Sequence, residues 1–256
     1  MAIHPTAIIE SGAQLGTDVE VGPYAFIGAE VRLGDRCRVQ HHASLVGKTE
    51  IGPDNHFHPF VSIGGQTQDL KYVDEPTYVR IGRGNSFREY MTVNRGTAPG
   101  AYTTVGDENT FLAYNHIAHD CKVGSRCVFS NNATLGGHVV VEDHVTIGGM
   151  TAIHQFCRIG RYAMLGGCTK IVQDAPPYFT ADGNPALVRG LNLIGLRRHN
   201  FPIETIRILR NSYRILYDDG LNTTQALKKI EEECELIPEI SAMLDFIRNS
   251  DRGIIR

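Results

Sequence analysis

The chain has 256 residues, a formal net charge of −3 and a hydrophobic fraction of 42%, which excludes a disordered chain and a polycationic nucleic-acid binder. No stretch approaches the run of about eighteen uncharged apolar residues that a transmembrane helix needs, and the opening MAIHPTAIIE lacks the features of a secretory signal. The six cysteines form no C-x-x-C pair, which indicates free thiols in a reducing compartment. We expect a cytoplasmic protein with no nucleic-acid partner and no transmembrane segment.

Along most of the chain, an aliphatic or aromatic residue recurs at every sixth position. The repeat holds from Ile3 to Ile63, from Ile81 to Val93 and from Val105 to Ile171. A strict hexad is typical of a parallel β-helix, whereas ordinary strands and helices have periods of two and 3.6. Three hexads make one coil, so residues eighteen apart stack at about 4.8 Å. The sequence predicts an all-β solenoid over residues 1–185, with loop excursions near 66–78 and 95–104.

After this repeat the apolar spacing becomes helical. Pro185 suits the start of a helix, and the segment ETIRILRNSYRILYDD places Ile206, Leu209 and Tyr213 on one helical face. Further helices are expected near 224–235 and 238–249, so residues 186–256 are predicted to form an α-helical C-terminal domain. Between residues 186 and 214 there are six arginines and a single acidic residue, Glu204. This excess of positive charge favours an anionic ligand or partner.

The motif NHIAHDC, residues 115–121, places two histidines and an aspartate within five residues. Because the register is unbroken here, the coil arithmetic predicts which residues stack. It predicts three adjacent columns: Ala118 with Gly136 and His154, His119 with Gly137 and Gln155, and Asp120 with His138. Three histidines are therefore expected on three consecutive coils.

Three interpretations of this cluster compete. It could be a polar ladder on a solvated face, or a zinc site that includes His119 and His138, as in hexapeptide-repeat carbonic anhydrases. In the third, His119 is a general base whose tautomer is fixed by Asp120. Gly137, which has no Cβ, would let a carbonyl approach its backbone N–H as an oxyanion donor. A base beside an oxyanion donor describes acyl transfer, so we favour this interpretation and assign no metal.

Longer motifs carry a resemblance to a known family. NHIAHDCKVG, NNATLGGHV, GGMTAIHQFCRIG, QDLKY and the ending DRGIIR closely resemble the UDP-N-acetylglucosamine O-acyltransferases, the first acyltransferases of lipid A biosynthesis, over essentially the whole chain. The resemblance implies a homotrimer of left-handed parallel β-helices. It also implies transfer of an (R)-3-hydroxyacyl chain from the phosphopantetheine arm of acyl carrier protein to the 3-hydroxyl of the nucleotide sugar. Neither a cofactor nor a covalent acyl-enzyme is expected.

The resemblance also assigns residues. His119 matches the general base, Asp120 the carboxylate that orients it, and Gly137 the oxyanion donor. Positions that match substrate-binding residues are Gln68, Asp69, Lys71, His116, His138, His154, Gln155, Gly167, Asn192 and Arg198. Glycine at 167, at the end of the acyl pocket in relatives, suggests a longer chain.

Two positions depart from the family pattern. Ile194 stands where close relatives carry an acid, and His199 stands where they carry a second arginine. Histidine cannot form the bidentate phosphate fork of arginine. These departures leave a 3-amino analogue of the nucleotide sugar open as the acceptor.

Overall fold

The computed structural model of the chain describes residues 2–256, and in it the hexads fold into strands of two to five residues. The two-residue strands end on an aliphatic or aromatic residue that is buried in most coils. The third residue after it often takes a left-handed turn conformation, as at Asp120 (φ 61°) and His138 (φ 60°). The strands in chain order are β1 Ala2–Ile3, β2 Ile8–Ile9, β3 Gln14–Leu15, β4 Glu20–Val21, β5 Phe26–Ile27, β6 Arg32–Leu33, β7 Arg38–Val39, β8 Ser44–Leu45, β9 Lys48–Ile51, β10 His56–Phe57, β11 Ser62–Gly65, β12 Tyr78–Ile81, β13 Ser86–Phe87, β14 Thr92–Asn94, β15 Tyr102–Val105, β16 Thr110–Phe111, β17 His116–Ile117, β18 Lys122–Val123, β19 Val128–Phe129, β20 Thr134–Leu135, β21 Val140–Val141, β22 Thr146–Ile147, β23 Ala152–Ile153, β24 Arg158–Ile159, β25 Met164–Leu165, β26 Lys170–Ile171, β27 Phe179–Asp182 and β28 Leu187–Leu191.

As far as β23, each strand pairs with the third strand after it in the chain. The strands among residues 2–256 thus form three sheets around a triangular prism. The first sheet runs from β1 through β4 to β28, the second from β2 through β5 to β26, and the third from β3 through β6 to β24. Pairing is parallel and eighteen residues apart in the unbroken region, as between His116, Thr134 and Ala152. The stacking predicted from the hexads is therefore confirmed.

The interior of the prism is a column of stacked apolar side chains. Phe57, Phe87, Phe111 and Phe129 follow one another with ring centroids 5.0 to 5.2 Å apart. Four cysteines occupy the small-residue position of their hexads and are buried: Cys37, Cys121, Cys127 and Cys157. Burial raises the pKa of Cys121 and of Cys127 to about 12, so these thiols stay protonated and act as small core residues.

Two loops leave the prism, and the parallel sheets continue past both of them, with one register irregularity between Ile63 and Gly65. The first, residues 66–77, connects β11 to β12, and the second, residues 95–101, connects β14 to β15. The sheets continue across both insertions, because His56 pairs with Ser86 and Ser86 pairs with Thr110. We call these loops the first and second excursions; both lie where the register breaks in the sequence.

One corner of the prism carries exposed aromatic rings. Tyr24, His42, Phe60, Tyr90 and Tyr114 follow β4, β7, β10, β13 and β16 and stack with centroids 4.9 to 5.2 Å apart. We call these five residues the aromatic ladder. Tyr24 is 61% exposed and Phe60 is 41% exposed, so the ladder is an apolar stripe on the surface of one chain.

The C-terminal region begins differently from the prediction. Pro185 does not start a helix: it follows a cis peptide bond after Asn184, and β28 then pairs antiparallel with β27. The prediction was wrong because a turn accommodates proline as readily as the first turn of a helix does. The helices follow as α1 Leu193–Arg198, α2 Ile203–Tyr217, α3 Thr223–Glu233 and α4 Pro238–Arg248.

The helices pack together and are tied to the last coils of the prism. Leu209, Ile230 and Met243 are fully buried in the helical core, while Ile255, from the terminal segment, joins the core of the prism. Ser250 donates to the carboxylate of the buried Asp174 (2.6 Å). None of the helices within residues 2–256 has the length and apolar character to cross a membrane.

Candidate active site

The predicted site lies at the corner of the prism that follows β17, β20 and β23. The predicted columns are present: the His138 N–H donates to the His119 carbonyl (3.1 Å), and the Phe156 N–H donates to the Gly137 carbonyl (3.0 Å). These ladder bonds place His119, Gly137 and Gln155 above one another on three coils. The coil arithmetic therefore predicted the placement of these residues correctly.

His119 and Asp120 form a hydrogen-bonded pair, which we call the dyad. The distance from His119 Nδ1 to Asp120 Oδ2 is 2.8 Å, and their side chains are only 12% and 11% exposed. An ionised carboxylate can only accept, so Nδ1 carries the proton and Nε2 keeps a lone pair free. The dyad thus has the tautomer that a general base needs.

The carboxylate of Asp120 is held by its own neighbours. The Thr97 N–H, in the second excursion, donates to both carboxylate oxygens (3.1 and 3.3 Å). The Asp120 N–H donates to Thr103 Oγ1 (2.8 Å). These bonds fix Asp120 in the left-handed turn that aspartate tolerates better than most residues. Because Asp120 is fixed, the orientation of the His119 ring is fixed as well.

Gly137 lies directly against the imidazole of His119. A Cβ added at Gly137 would collide with the His119 ring, so no other residue fits here unless something shifts. Among residues 2–256 the Gly137 N–H has no acceptor. At the same hexad position of another corner, the N–H groups of Thr17 and Ser125 donate to aspartates (2.7 and 2.8 Å). The corner therefore presents a free backbone donor beside a free imidazole nitrogen.

His138 lies beside the dyad, and its side chain is 40% exposed. Its Nε2 is 3.7 Å from Asp120 Oδ2, and its ring stacks on Phe156 at 4.6 Å. Ligand atoms of His119, Asp120 and His138 all lie within 4.8 Å of one another, a spacing that could hold a cation. However, the Asp120 carboxylate already accepts hydrogen bonds from His119 and Thr97. The geometry therefore fits an oriented base better than a set of metal ligands.

His154 stands apart from the other two histidines. It is exposed, and its Nδ1 lies 3.0 Å from the backbone oxygen of Gln155. Gly136 and Gly137 occupy the intervening coil and contribute no side chains. A Cβ added at Gly136 would meet the Gln155 backbone nitrogen at 2.8 Å, so this coil packs closely against the one that carries His154 and Gln155.

His116 lies on β17, and its Nδ1 is 2.7 Å from Thr92 Oγ1. Burial lowers the pKa of His116, and a proton on the nearby His119 would lower it further. His116 is therefore neutral near pH 7 and offers one more polar nitrogen close to the dyad.

The first excursion carries Gln68, Asp69 and Lys71. The Lys71 N–H donates to Asp69 Oδ1 (2.9 Å), and the Asp69 N–H donates to Thr67 Oγ1 (3.2 Å). The Thr67 hydroxyl lies 2.9 Å from the Thr97 hydroxyl in the second excursion. Within one chain, the two excursions thus bring the segment 67–71 to the side of the dyad.

Comparisons with known proteins agree with this geometry. The family described as "Bacterial transferase hexapeptide (six repeats)" matches residues 102–137, and "Udp N-acetylglucosamine O-acyltransferase; Domain 2" matches residues 174–255. Over 99% of each chain, the sequence is 47% identical to the acyl-[acyl-carrier-protein]–UDP-N-acetylglucosamine O-acyltransferase of Paraburkholderia phymatum. The chain belongs to this O-acyltransferase family.

Solved structures of related enzymes have the same fold. LpxA from Acinetobacter baumannii superimposes with a TM-score of 0.97 at 41% identity over all of both chains. LpxA of Bacteroides fragilis, a UDP-N-acetylglucosamine acyltransferase, gives a TM-score of 0.97 at 40% identity over 99% of this chain and 100% of the other. The expected family and the left-handed parallel β-helix with C-terminal helices are confirmed.

Three of the residues that we expect to bind substrate lie away from the dyad in the single chain. Gly167 lies at another corner, where an added Cβ would meet only the Gly149 backbone, at 3.3 Å from its oxygen. Asn192 caps α1, accepting from the Gly195 N–H (3.0 Å) and donating to the Tyr162 carbonyl (2.9 Å). Arg198 is exposed and forms no ion pair within the described part of the chain.

The two positions that depart from the family pattern are at the surface near α1. Ile194 is 75% exposed. The His199 ring lies edge-on to His144 and Tyr162, with centroids 4.8 and 5.1 Å away. Histidine at 199 therefore adds to an aromatic cluster, a contact that differs in kind from the phosphate fork of an arginine.

The sequence-based prediction missed the threonines that support the site. Thr92 contacts His116, Thr97 and Thr103 hold Asp120, and Thr67 joins the two excursions. The register break RGTAPGAYTT contained two of them, but a broken register gives no column to assign them to. The roles of Thr67 and Thr97 depend on loop conformation, whereas Thr92 lies on β14 and Thr103 on β15.

Proposed function

We propose that the protein transfers an (R)-3-hydroxyacyl chain from acyl carrier protein to the 3-hydroxyl of UDP-N-acetylglucosamine, the first step of lipid A biosynthesis. The observation that carries the proposal is the dyad beside the unpaired N–H of Gly137. The name of the Paraburkholderia relative supplies both the donor and the acceptor. A zinc-dependent hydratase, the alternative from another class, has no counterpart among these relatives.

The chemistry follows from the positions of three groups. His119 Nε2 takes the proton of the sugar 3-hydroxyl as its oxygen attacks the thioester carbon, and Asp120 stabilises the imidazolium that forms. The Gly137 N–H donates to the oxyanion of the tetrahedral intermediate. Collapse of the intermediate breaks the carbon–sulfur bond, and the departing thiolate receives the proton from His119. The thioester supplies the reactivity, so no cofactor and no acyl-enzyme is needed.

We propose that the active protein is a cytoplasmic homotrimer. The aromatic ladder supports this, because stacked exposed rings of this extent are typical of surfaces that another protein covers. A second copy of the chain packed along that corner would bury the half-exposed rings of Phe60 and Tyr90. Such packing would also bring other chains close to the residues that lie away from the dyad in one chain, among them Gly167, Asn192 and Arg198.

We propose that the helical domain docks the acidic carrier protein. A cavity of about 690 Å³ between α1 and α2 is lined by apolar residues, including Phe201 and Ile203, and by Arg197, Arg207 and Arg210. Arg207 pairs with Glu204 (2.8 Å), while Arg197 and Arg210 have no ion pair within residues 2–256. Uncompensated positive charge of this kind attracts an acidic partner over a distance of about 10 Å at moderate salt.

The experiment that tests the function is mass spectrometry of the product. Purified protein is given a mixture of 3-hydroxyacyl carrier proteins and two competing acceptors, UDP-N-acetylglucosamine and its 3-amino analogue. We expect an ester of the first acceptor and, because position 167 is glycine, a long acyl chain. An amide as the main product would overturn the assignment of the acceptor, and the first residues to exchange would then be Ile194 and His199.

The variant that tests the general base is His119→Ala. Its turnover should fall by a factor of about 10²–10⁴, the usual contribution of a general base. Turnover within a few-fold of the unmodified protein, with the fold intact, would show that His119 is not the base. The absence of any product from either acceptor would refute the acyltransferase proposal itself.

A further inference from the structure

A continuous path of hydrogen bonds links the first excursion to the dyad. It begins at the Lys71 N–H, which donates to Asp69, and it continues through the Asp69 N–H to the hydroxyl of Thr67. From there it crosses between the two excursions and reaches the dyad through Thr97. The residues on the path, in order, are Lys71, Asp69, Thr67, Thr97, Asp120 and His119.

The step between the excursions is the contact of two hydroxyl groups. Thr67 Oγ1 and Thr97 Oγ1 are 2.9 Å apart, and Thr67 is only 7% exposed. Thr67 Oγ1 already accepts from the Asp69 N–H (3.2 Å), so the hydroxyl pair and the turn at Asp69 depend on the same oxygen. On the other side, the N–H of Thr97 donates to the Asp120 carboxylate. Each threonine therefore contacts one functional segment directly and the other only through its partner.

Other contacts also hold the excursions together. Asn94 Nδ2 donates to the Gln66 carbonyl (3.0 Å), and Arg95 donates to the Gly64 carbonyl and the Tyr72 hydroxyl (3.3 and 3.4 Å). The excursions therefore have supports on both sides of the threonine pair. Removal of one hydroxyl leaves these supports in place, so the effect of the pair can be measured in a folded protein.

We propose that Thr67 and Thr97 form a hydroxyl clamp that couples the acceptor-binding excursion to the orientation of the catalytic dyad. The inference rests on the proposed function, because it takes Asp69 and Lys71 to bind the sugar nucleotide. Both threonines are positioning residues, since neither side chain contacts His119. When the acceptor binds the segment 67–71, the clamp fixes the position of Thr97. The Thr97 N–H in turn fixes the Asp120 carboxylate, which orients His119.

The test uses Thr67→Val and Thr97→Val, which remove one hydroxyl at nearly constant volume, together with the double variant. Rates are measured at a saturating concentration of 3-hydroxyacyl carrier protein and over a range of UDP-N-acetylglucosamine concentrations. Each single variant should lose about fivefold in kcat and gain about fivefold in the KM of the acceptor, roughly the effect of one hydrogen bond. The crossed effects are decisive. Thr67 lies in the acceptor segment, yet removal of its hydroxyl should lower kcat. Thr97 contacts the dyad, yet removal of its hydroxyl should raise the KM of the acceptor.

The double variant should be no worse than either single one, because the two hydroxyls act as a pair. Thr67→Ser and Thr97→Ser should restore the unmodified values, and Thr110→Val, at an exposed strand residue of the first sheet, is the control. Additive losses, with only KM changed by Thr67→Val and only kcat changed by Thr97→Val, would overturn the coupling. The unmodified protein is assayed first. If it shows no acyltransferase activity, the proposed function is wrong, and this outcome is distinct from failure of the clamp.

Discussion

Gly137→Ala is the substitution whose effect follows most directly from the geometry of the site. The added Cβ would occupy space that the His119 imidazole fills. Either the ring must leave its hydrogen bond with Asp120, or the backbone must move with the N–H of residue 137. Both movements displace a group that the reaction uses, while the chemical identity of every catalytic group stays the same.

The expected loss in kcat is about 10²–10⁴, the range of a displaced general base or oxyanion donor, which corresponds to roughly 3–5 kcal/mol in activation free energy. Overpacking at one position should cost roughly 1–3 kcal/mol in the free energy of unfolding. The rate is measured as release of the free thiol of acyl carrier protein, and thermal unfolding is recorded in parallel.

A matched control is Gly28→Ala, at the same corner of an earlier coil, where the added Cβ would meet the Val46 backbone at 3.5 Å, an ordinary contact. This variant should keep both its turnover and its melting temperature. If Gly137→Ala keeps turnover within fivefold of the unmodified protein, the contact of the His119 ring with Gly137 has no catalytic importance, and the reasoning is refuted.

Three further predictions concern docking, assembly and pH. Arg210→Glu should raise the KM for acyl carrier protein about tenfold at low salt and much less at high salt, because exposed charges are screened; an effect independent of salt would argue against electrostatic docking. Phe60→Arg should shift the sedimentation coefficient from that of a trimer to that of a monomer, whereas Val128→Arg, at an exposed strand residue outside the ladder, should not; an intact Phe60→Arg trimer would exclude the ladder as the interface. Burial lowers the pKa of His56, His116 and other histidines below the ordinary value of 6.5, so the unfolded chain binds more protons than the folded one below that pH. The melting temperature should therefore fall as the pH is lowered from 7 to 5, and an unchanged or higher value at pH 5 would contradict this.

The sequence predicts the prism well because one physical rule governs it. A residue at every sixth position must point inward, so the columns of His119, Gly137 and Gln155 follow from counting. The prediction fails where the period stops. The local sequence predicts a helix start at Pro185, whereas the structure has the antiparallel strand β28 after it, whose pairing depends on tertiary contacts that no local pattern reports.

The six-residue repeat could not predict the threonine pair that supports the site, because the repeat does not extend into the excursions. Thr67 and Thr97 lie in segments that have no register, and their contact is between residues thirty positions apart. The resemblance predicts substrate binding by Asn192. In one chain its side chain caps α1 and donates to the Tyr162 carbonyl, a role that depends on the folded structure. The roles of these residues require the folded loops to be seen.

The stacking of the prism across both excursions has an evolutionary consequence. Phe57 stacks on Phe87, and Phe87 on Phe111, with nearly the same ring spacing, although thirty residues separate the first pair and twenty-four the second. Insertions at these junctions therefore change the length of the chain without changing the spacing of the coils. Selection can lengthen, shorten or rewrite the excursions beside the dyad while the inherited scaffold keeps its dimensions, so substrate range and stability can diverge independently.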